Sequence, residues 1–205
     1  VVDFILSLSG LNTKEDIIGK KILDPSVGEG IFIFCLVKKI LREYGNDYKQ
    51  IKSTLHNITV VELDKMKCEI FKHKIIELLL EYDKNYSELA EEINIINNDY
   101  LLLDNMKYDV IIGNPPYVRY DNIPYDKIDF YKRLFTCFKY RSDLYIAFIE
   151  KSIKSLKSNG ILTFVCSDRW LNNQYGKVLR KTIYNNYYFK DIIKINNFNA
   201  FEEEV

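Results

Sequence analysis

The sequence predicts an α/β fold, a largely parallel sheet with helices on both of its faces. Two observations carry the prediction. Short apolar runs rich in β-branched residues alternate along the chain with longer segments whose apolar residues recur every three to four positions. Four of those runs also end in polar or glycine-rich turns, "DPSVGEG", "ELD", "NNDY" and "GNPPY". Open parallel sheets bind ligands outside the carboxyl ends of their strands, so turns of this kind belong there.

The elements follow in order. Residues 1–9 form the tail of a helix, with Val1, Ile5 and Leu8 on one face. Lys21–Asp24 is a short strand, and the glycine turn after it leads into a helix from Ile31 to Tyr44. A polar segment, 44–56, precedes a second strand at 57–63 and a long amphipathic helix at 67–82. Strands are expected at 93–97 and 108–113, then an irregular stretch at 118–141. A helix at 144–156, a strand at 160–167, a helix at 176–186 and a strand at 190–195 close the pattern.

Composition narrows the function classes. The 205 residues are most economically one domain spanning 1–205, with 47% hydrophobic and 28% charged residues. The 29 lysines and arginines balance 29 aspartates and glutamates, so no global positive field announces a nucleic-acid binder; a basic surface would have to be local. Cys35, Cys68, Cys137 and Cys166 form neither a disulfide framework nor a C-x-x-C site, and His56 and His73 have no ligand-like neighbours. These features read as reduced thiols in a cytoplasmic protein without a metal. No apolar run is long enough to span a membrane, and no signal peptide is visible. Both ends of the chain fall inside recognisable patterns, so a fragment of a longer protein is expected.

The strand-end turns carry the chemistry. In Asp24-Pro25-Ser26-Val27-Gly28-Glu29-Gly30, the glycines permit a tight turn and close backbone approach. The turn lacks G-K-[ST], and Asp24 and Glu29 would repel an anion, so a cation or ligand amine suits it better than a phosphate. Glu62 can accept from both hydroxyls of a ribose, while Asp64 is the better helix cap. Asp99 can accept from an exocyclic amine, and Tyr100 can lie against a purine. Asn114-Pro115-Pro116-Tyr117 ends its strand, because neither proline can donate to the ladder and Asn114 is held extended. Together these residues describe a pocket for adenosine with a cationic amino-acid tail, bordered by an amide, bare carbonyls and an aromatic ring.

This order of motifs resembles the amino-group DNA methyltransferases, above all the N6-adenine class in which a target-recognition domain follows the catalytic domain, as in fused type II restriction-modification enzymes. "VVDFILSL" resembles the end of that family's N-terminal helix motif, "DPSVGEGIF" its first cofactor motif, "VVEL" its ribose motif and "NNDY" its adenine motif. "NPPY" matches the catalytic motif without substitution, and "DLYIAFIEKSIKSLKSNGILTFVCSDRWL" resembles the helix, strand and loop that follow it. Ser26-Val27 and Glu29 depart from the usual pattern, and Glu29, read as pointing at the helix N-terminus, is expected to matter little.

The resemblance implies a Rossmann-like fold that binds S-adenosyl-L-methionine through Asp24, Ser26, Gly28, Gly30, Glu62, Leu63, Asp99, Tyr100 and Asn114. It implies catalysis at Asn114, Pro115, Pro116 and Tyr117, with Tyr117 and a second aromatic, Phe201 or its rival Phe198, stacking on a flipped adenine of double-stranded DNA. It also implies a target-recognition domain beyond Val205 and a fused or associated nuclease. Cations interleaved with aromatics over 117–145 suggest DNA-backbone contacts by Arg119, Lys132 and Arg133. A packed loop whose charge is diluted by aspartates is the equal alternative. Other readings of the same tetrapeptide are methylation of a release-factor glutamine or an RNA guanine amino group, and a silent scaffold subunit.

Overall fold

The structure is a computed structural model and describes residues 2–104 and 106–194. The chain divides into two compact units. The first comprises Val2–Pro115 and Ser152–Val165; the second comprises Pro116–Lys151 and the residues from Cys166 onward.

The first unit is built on five strands: β1 (Ile22–Asp24), β2 (Ile58–Glu62), β3 (Asn94–Asn97), β4 (Tyr108–Gly113) and β5 (Leu156–Phe164). They run in the order β3-β2-β1-β4-β5 with every pair parallel. The chain builds outward from β1 to β3, then returns to place β4 on the other side of β1. The reversal of strand order between β1 and β4 is where such sheets hold ligands. Ile22, Val60, Val110 and Ile112 join one core cluster, while the alternate residues Leu23, Val61 and Ile111 point the other way and are buried too. Burial on both faces explains why these runs are continuously apolar rather than alternating.

Five helices belong to this unit: α1 (Val2–Leu8), α2 (Lys14–Ile17), α3 (Ile31–Tyr44), α4 (Tyr48–Leu55) and α5 (Lys65–Tyr82). Helix α3 packs against the other four and buries Phe32, Ile33, Leu36, Val37, Ile40 and Leu41, the spacing of a single helical stripe. Asp64 caps α5 by accepting from the amides of Met66 at 2.8 Å and Lys67 at 3.4 Å. A cap of this kind stabilises by about 1 kcal/mol.

The second unit holds α6 (Tyr125–Leu134), most of α7 (Tyr145–Lys154), α8 (Arg169–Asn172) and α9 (Lys177–Asn186). Helix α7 is buried over Tyr145, Ile146, Ala147, Phe148 and Ile149, and Glu150 is fully buried beside them. The Glu150 carboxylate accepts from the Thr136 amide at 3.0 Å, the Thr136 hydroxyl at 2.8 Å and the Cys137 amide at 2.6 Å. Three donors, two of them backbone amides, offset the cost of burying that charge and fix the chain after α6.

Four sequence expectations need correction. The polar segment 44–56 contains α4, which buries Ile51 and Leu55 and is capped by Asp47. The stretch 118–141 is not irregular: after a 3-10 turn at Tyr120–Asn122 it forms α6, whose buried Ile128 and Tyr131 were masked by neighbouring cations and aromatics. Strand β5 begins at Leu156 and ends at Phe164, three residues before the predicted end. Its register with β4 shifts between Tyr108 and Val110, and Asn159 has a positive φ of 61°, so a bulge precedes the regular pairing. Residues 190–194 are not a strand.

Gly30 starts α3 with φ +82°, and a Cβ there would lie 2.7 Å from both the Phe34 and Phe71 rings. Those rings stack at 5.4 Å between centroids. Gly30→Ala is therefore predicted to destabilise the fold by about 2 kcal/mol or more, from backbone strain plus overpacking. Urea denaturation checks this, and an unchanged midpoint would contradict it.

Candidate active site

The carboxyl ends of β1, β2, β3 and β4 bring Asp24, Glu62, the Asn97–Asp99 turn and Asn114 to the same edge of one sheet. The register pairs Asp24 with Val60 and Glu62 with Asn97, so the acidic residues sit on neighbouring strands within a step or two of the edge.

Asp24 is the electrostatic centre of this edge. It is 1% exposed. One carboxylate oxygen accepts from the Ser26 amide at 3.0 Å, while the other is buried without a hydrogen-bond partner. Burial pushes its pKa from 3.8 up to about 7, opposed by the Ser26 amide and reinforced by the negative charge of Glu62. A buried carboxylate oxygen left unsatisfied is costly, and a ligand or ion with a donor can complete it. The complement is a hydrogen-bond-donating cation.

Glu62 holds the glycine turn in place. Its Oε2 accepts from the Gly28 amide and its Oε1 from the Asp64 amide, each at 3.0 Å. Each carboxylate oxygen has a second lone pair, so two further donors, such as the two hydroxyls of a diol, can still be accommodated. The Val27 amide donates to Val61 O at 3.0 Å, tying the turn to β2. Glu29 leaves the helix N-terminus and pairs with Lys74 at 3.2 Å, which differs from the orientation read in the sequence. Leu63 is exposed beside this edge.

Asp99 is nearly buried, and its side chain accepts from the Leu101 amide at 3.1 Å. Tyr100 is a core residue rather than an open platform: it is 5% exposed, its hydroxyl meets that of Ser152 at 3.1 Å, and burial pushes its pKa to about 12.

The Asn-Pro-Pro-Tyr corner begins at the end of β4. Asn114 is exposed, and its backbone carbonyl accepts from the Ser26 hydroxyl at 2.9 Å. Among the described residues, neither the Asn114 side chain nor the Pro115 carbonyl has a hydrogen-bond partner. In the second unit, the Tyr117 ring is 52% exposed. It lies edge-on to Tyr145 at 6.5 Å, and Tyr145 shares a hydroxyl hydrogen bond with Tyr175 at 2.9 Å. Burial pushes the Tyr117 hydroxyl up to about 12, so it stays neutral at physiological pH.

Sequence reasoning missed two contributors. Gly113 has φ +154°, and a Cβ there would lie 2.8 Å from the Asp24 carboxylate. Its place directly before Asn114 was the available signal. Asn97 donates through Nδ2 to the carbonyls of Glu62 and Leu63, both at 3.0 Å, and knits the ends of β2 and β3 together. Of the cations proposed to meet DNA, Lys132 donates to the Tyr120 hydroxyl at 2.8 Å and lies over its ring at 5.1 Å, a packing role. Arg119 and Arg133 are exposed. Phe198 and Phe201 lie outside the described residues.

Asp24→Asn tests the electrostatics. A carboxyl with a folded pKa near 7 and an unfolded value of 3.8 binds its proton more tightly in the folded chain. Its stabilising contribution is complete below about pH 4 and is lost as pH rises through about 7. Asn mimics the neutral form. The variant is predicted to exceed the parent in stability by a margin that grows from pH 4 to 7 and then levels, reaching up to roughly 4 kcal/mol. Denaturation across this range checks it, and a margin independent of pH would contradict it.

Comparison with known proteins places this geometry in a family. Residues 44–201 match the model of the Eco57I restriction-modification methylase. The type II methyltransferase M.BstVI of Geobacillus stearothermophilus is 34% identical over 216 residues, covering all of this chain and 38% of that protein. The chain thus spans well under half the length of that relative. Among solved structures, a nuclease-deletion mutant of the type ISP restriction-modification enzyme LlaGI, bound to a DNA substrate mimic, superposes with a TM-score of 0.65 at 20% identity, covering 90% of this chain and 21% of that one. A Listeria monocytogenes protein described as a class I S-adenosylmethionine-dependent methyltransferase gives a TM-score of 0.62 at 18% identity, covering 90% of this chain and 49% of that one. The fold is that of the class I methyltransferases, and the chain belongs to the Eco57I restriction-modification methylase family.

Proposed function

We propose that this chain is the catalytic part of a DNA methyltransferase that transfers a methyl group from S-adenosyl-L-methionine to the N6 amino group of an adenine. The observation that carries the reading is the Asn-Pro-Pro-Tyr corner at the end of β4, beside a buried carboxylate oxygen that lacks a donor. The cofactor fits the residues present. Asp24 takes its ammonium, Glu62 its ribose hydroxyls and Asp99 the amine of its adenine, while Ser26, Gly28, Gly30 and Leu63 line the approach and Tyr100 supports the Asp99 turn. When bound, the cofactor supplies an electrophilic methyl group on a sulfonium.

The rest is the work of the corner. An adenine amino group is a poor nucleophile because its lone pair is delocalised into the ring. The Asn114 side-chain oxygen and the Pro115 carbonyl accept its two hydrogens, draw the nitrogen toward a tetrahedral shape and localise the lone pair. Each positioned dipole is worth ~3 kcal/mol by analogy with oxyanion holes. The bond from Ser26 to the Asn114 carbonyl holds the corner, and Pro116 stiffens it. No strong base is needed, which agrees with His56 being engaged with Glu92 at 3.1 Å. The half-exposed Tyr117 ring stacks on the adenine after it leaves the duplex, offsetting a few kcal/mol of unstacking.

Charge supports the choice of DNA. The neutral total hides a division: residues 116–151 and 166–205 carry 13 lysines and arginines against 10 aspartates and glutamates, whereas residues 2–115 and 152–165 carry 16 against 19. The unit that begins at Pro116-Tyr117 is thus the basic one, as a partner for a polyanion should be. Choice of the DNA site falls to a target-recognition domain of the longer protein.

The test is to express the full-length protein and its Asn114→Ala variant in a host without DNA methyltransferases and to quantify N6-methyladenine. The parent is predicted to raise it. The variant is predicted to lose at least about 100-fold of the activity while still binding cofactor, the scale of removing one transition-state dipole. Unchanged turnover in the variant would refute the role of Asn114. A parent that binds cofactor but leaves DNA unmethylated would turn the reading toward a glutamine or RNA amino group.

A further inference from the structure

We infer that the exposed face of α9, through Lys177 and Lys181, is a contact surface for the phosphate backbone of double-stranded DNA; the inference rests on the DNA reading above. From Arg169 to Lys190 the chain carries five lysines and arginines and not one aspartate or glutamate, although acidic residues make up 29 of the 205. The same stretch carries Asn172, Asn173, Asn185 and Asn186, together with Tyr184 and Tyr188, side chains that also donate hydrogen bonds to phosphate.

The structure sorts these residues onto one face. Leu179 and Ile183 are buried, and the Thr182 hydroxyl meets the Cys137 thiol at 3.6 Å, which fixes the inward side of α9. Lys177, Lys181, Tyr184 and Asn185 are all exposed; the four-residue spacing of 177, 181 and 185 and the three-residue spacing of 181 and 184 put them on one outward face. Tyr184 is 87% exposed and Tyr188 91% exposed, a heavy load of aromatic surface to leave in water. Arg180 is not part of the stripe: it donates to the carbonyls of Trp170 and Asn173 and anchors the helix start instead.

A comparison inside the same unit sharpens the choice. On and around α6, Lys132 is committed to Tyr120 and Arg141 is paired with Asp121, so those cations are satisfied within the fold. Neither lysine of the α9 stripe has a carboxylate within its own helix to neutralise it. An unneutralised stripe of cations with amide and phenol donors complements a polyanionic backbone. A partner without dense negative charge gains little from it.

The test is the salt dependence of duplex binding by the full-length protein. The Lys177→Gln/Lys181→Gln variant is compared with the parent and with Lys49→Gln/Lys84→Gln, which removes two exposed lysines from the first unit. Affinity for a fluorescent duplex is read by anisotropy over a range of salt concentrations. The α9 variant is predicted to lower the slope of log K against log salt by about 1.8, two phosphate contacts at ~0.9 each, and the control to keep the parent slope. A parent slope in the α9 variant overturns the surface, and so does an equal fall in the control. A parent that binds no duplex at any salt overturns the DNA reading itself and this surface with it.

Discussion

A carboxylate buried at the end of β1 governs this edge of the sheet. Asp24 sits where strand order reverses, almost without solvent, with one oxygen unsatisfied. Its neighbours answer to it. Gly113 lacks a side chain because any Cβ would meet the Asp24 carboxylate, and that brings the β4 backbone close to the residue just before Asn114. Ser26 serves both sides of the switch point, with its amide on Asp24 and its hydroxyl on the Asn114 carbonyl. Glu62 adds a second negative charge while pinning Gly28. The glycine turn after β1 and the Asn-Pro-Pro-Tyr corner after β4 are therefore one hydrogen-bonded assembly. The isolated fold gives up stability to hold a carboxylate oxygen there without a donor.

The two units divide the electrostatics. The sheet unit is slightly acidic, with 16 lysines and arginines against 19 aspartates and glutamates. The second unit carries more cations than acids, and Glu150, fully buried within it, is closed off by three donors from Thr136 and Cys137. Asp24 and Glu150, the two acids with almost no solvent exposure, thus meet opposite fates. Glu150 is satisfied and structural; Asp24 is left incomplete. That contrast is why the proposed function rests on Asp24 and not on Glu150.

Most of the sheet was legible because buried parallel strands read as continuous apolar runs, and the four turns announced the strand ends through Gly, Pro and acidic residues. The Asp64 cap was legible for the same local reason. Helices α4 and α6 were not, because their apolar residues are few and spaced among charges, so tertiary packing rather than pattern defines them. The bulge ahead of β5 depends on the positive φ of Asn159 and on register with β4, which no local pattern encodes. At the candidate site, the sequence names the residues that stand at the strand ends but not the bonds that couple them. Tyr100 reads as a stacking aromatic until the Ser152 hydroxyl shows it to be core, and the Ser26–Asn114 bond spans 88 positions.

The most direct test of this account is proton release on cofactor binding. Calorimetric titration of S-adenosyl-L-methionine at pH 6.5, in buffers of different ionisation enthalpy, counts the protons exchanged. With Asp24 near 7 in the free protein and ionised against the bound ammonium, about 0.8 proton should be released per cofactor bound. Binding without proton release would mean that Asp24 is already ionised or does not meet the cofactor, and the central claim would fail.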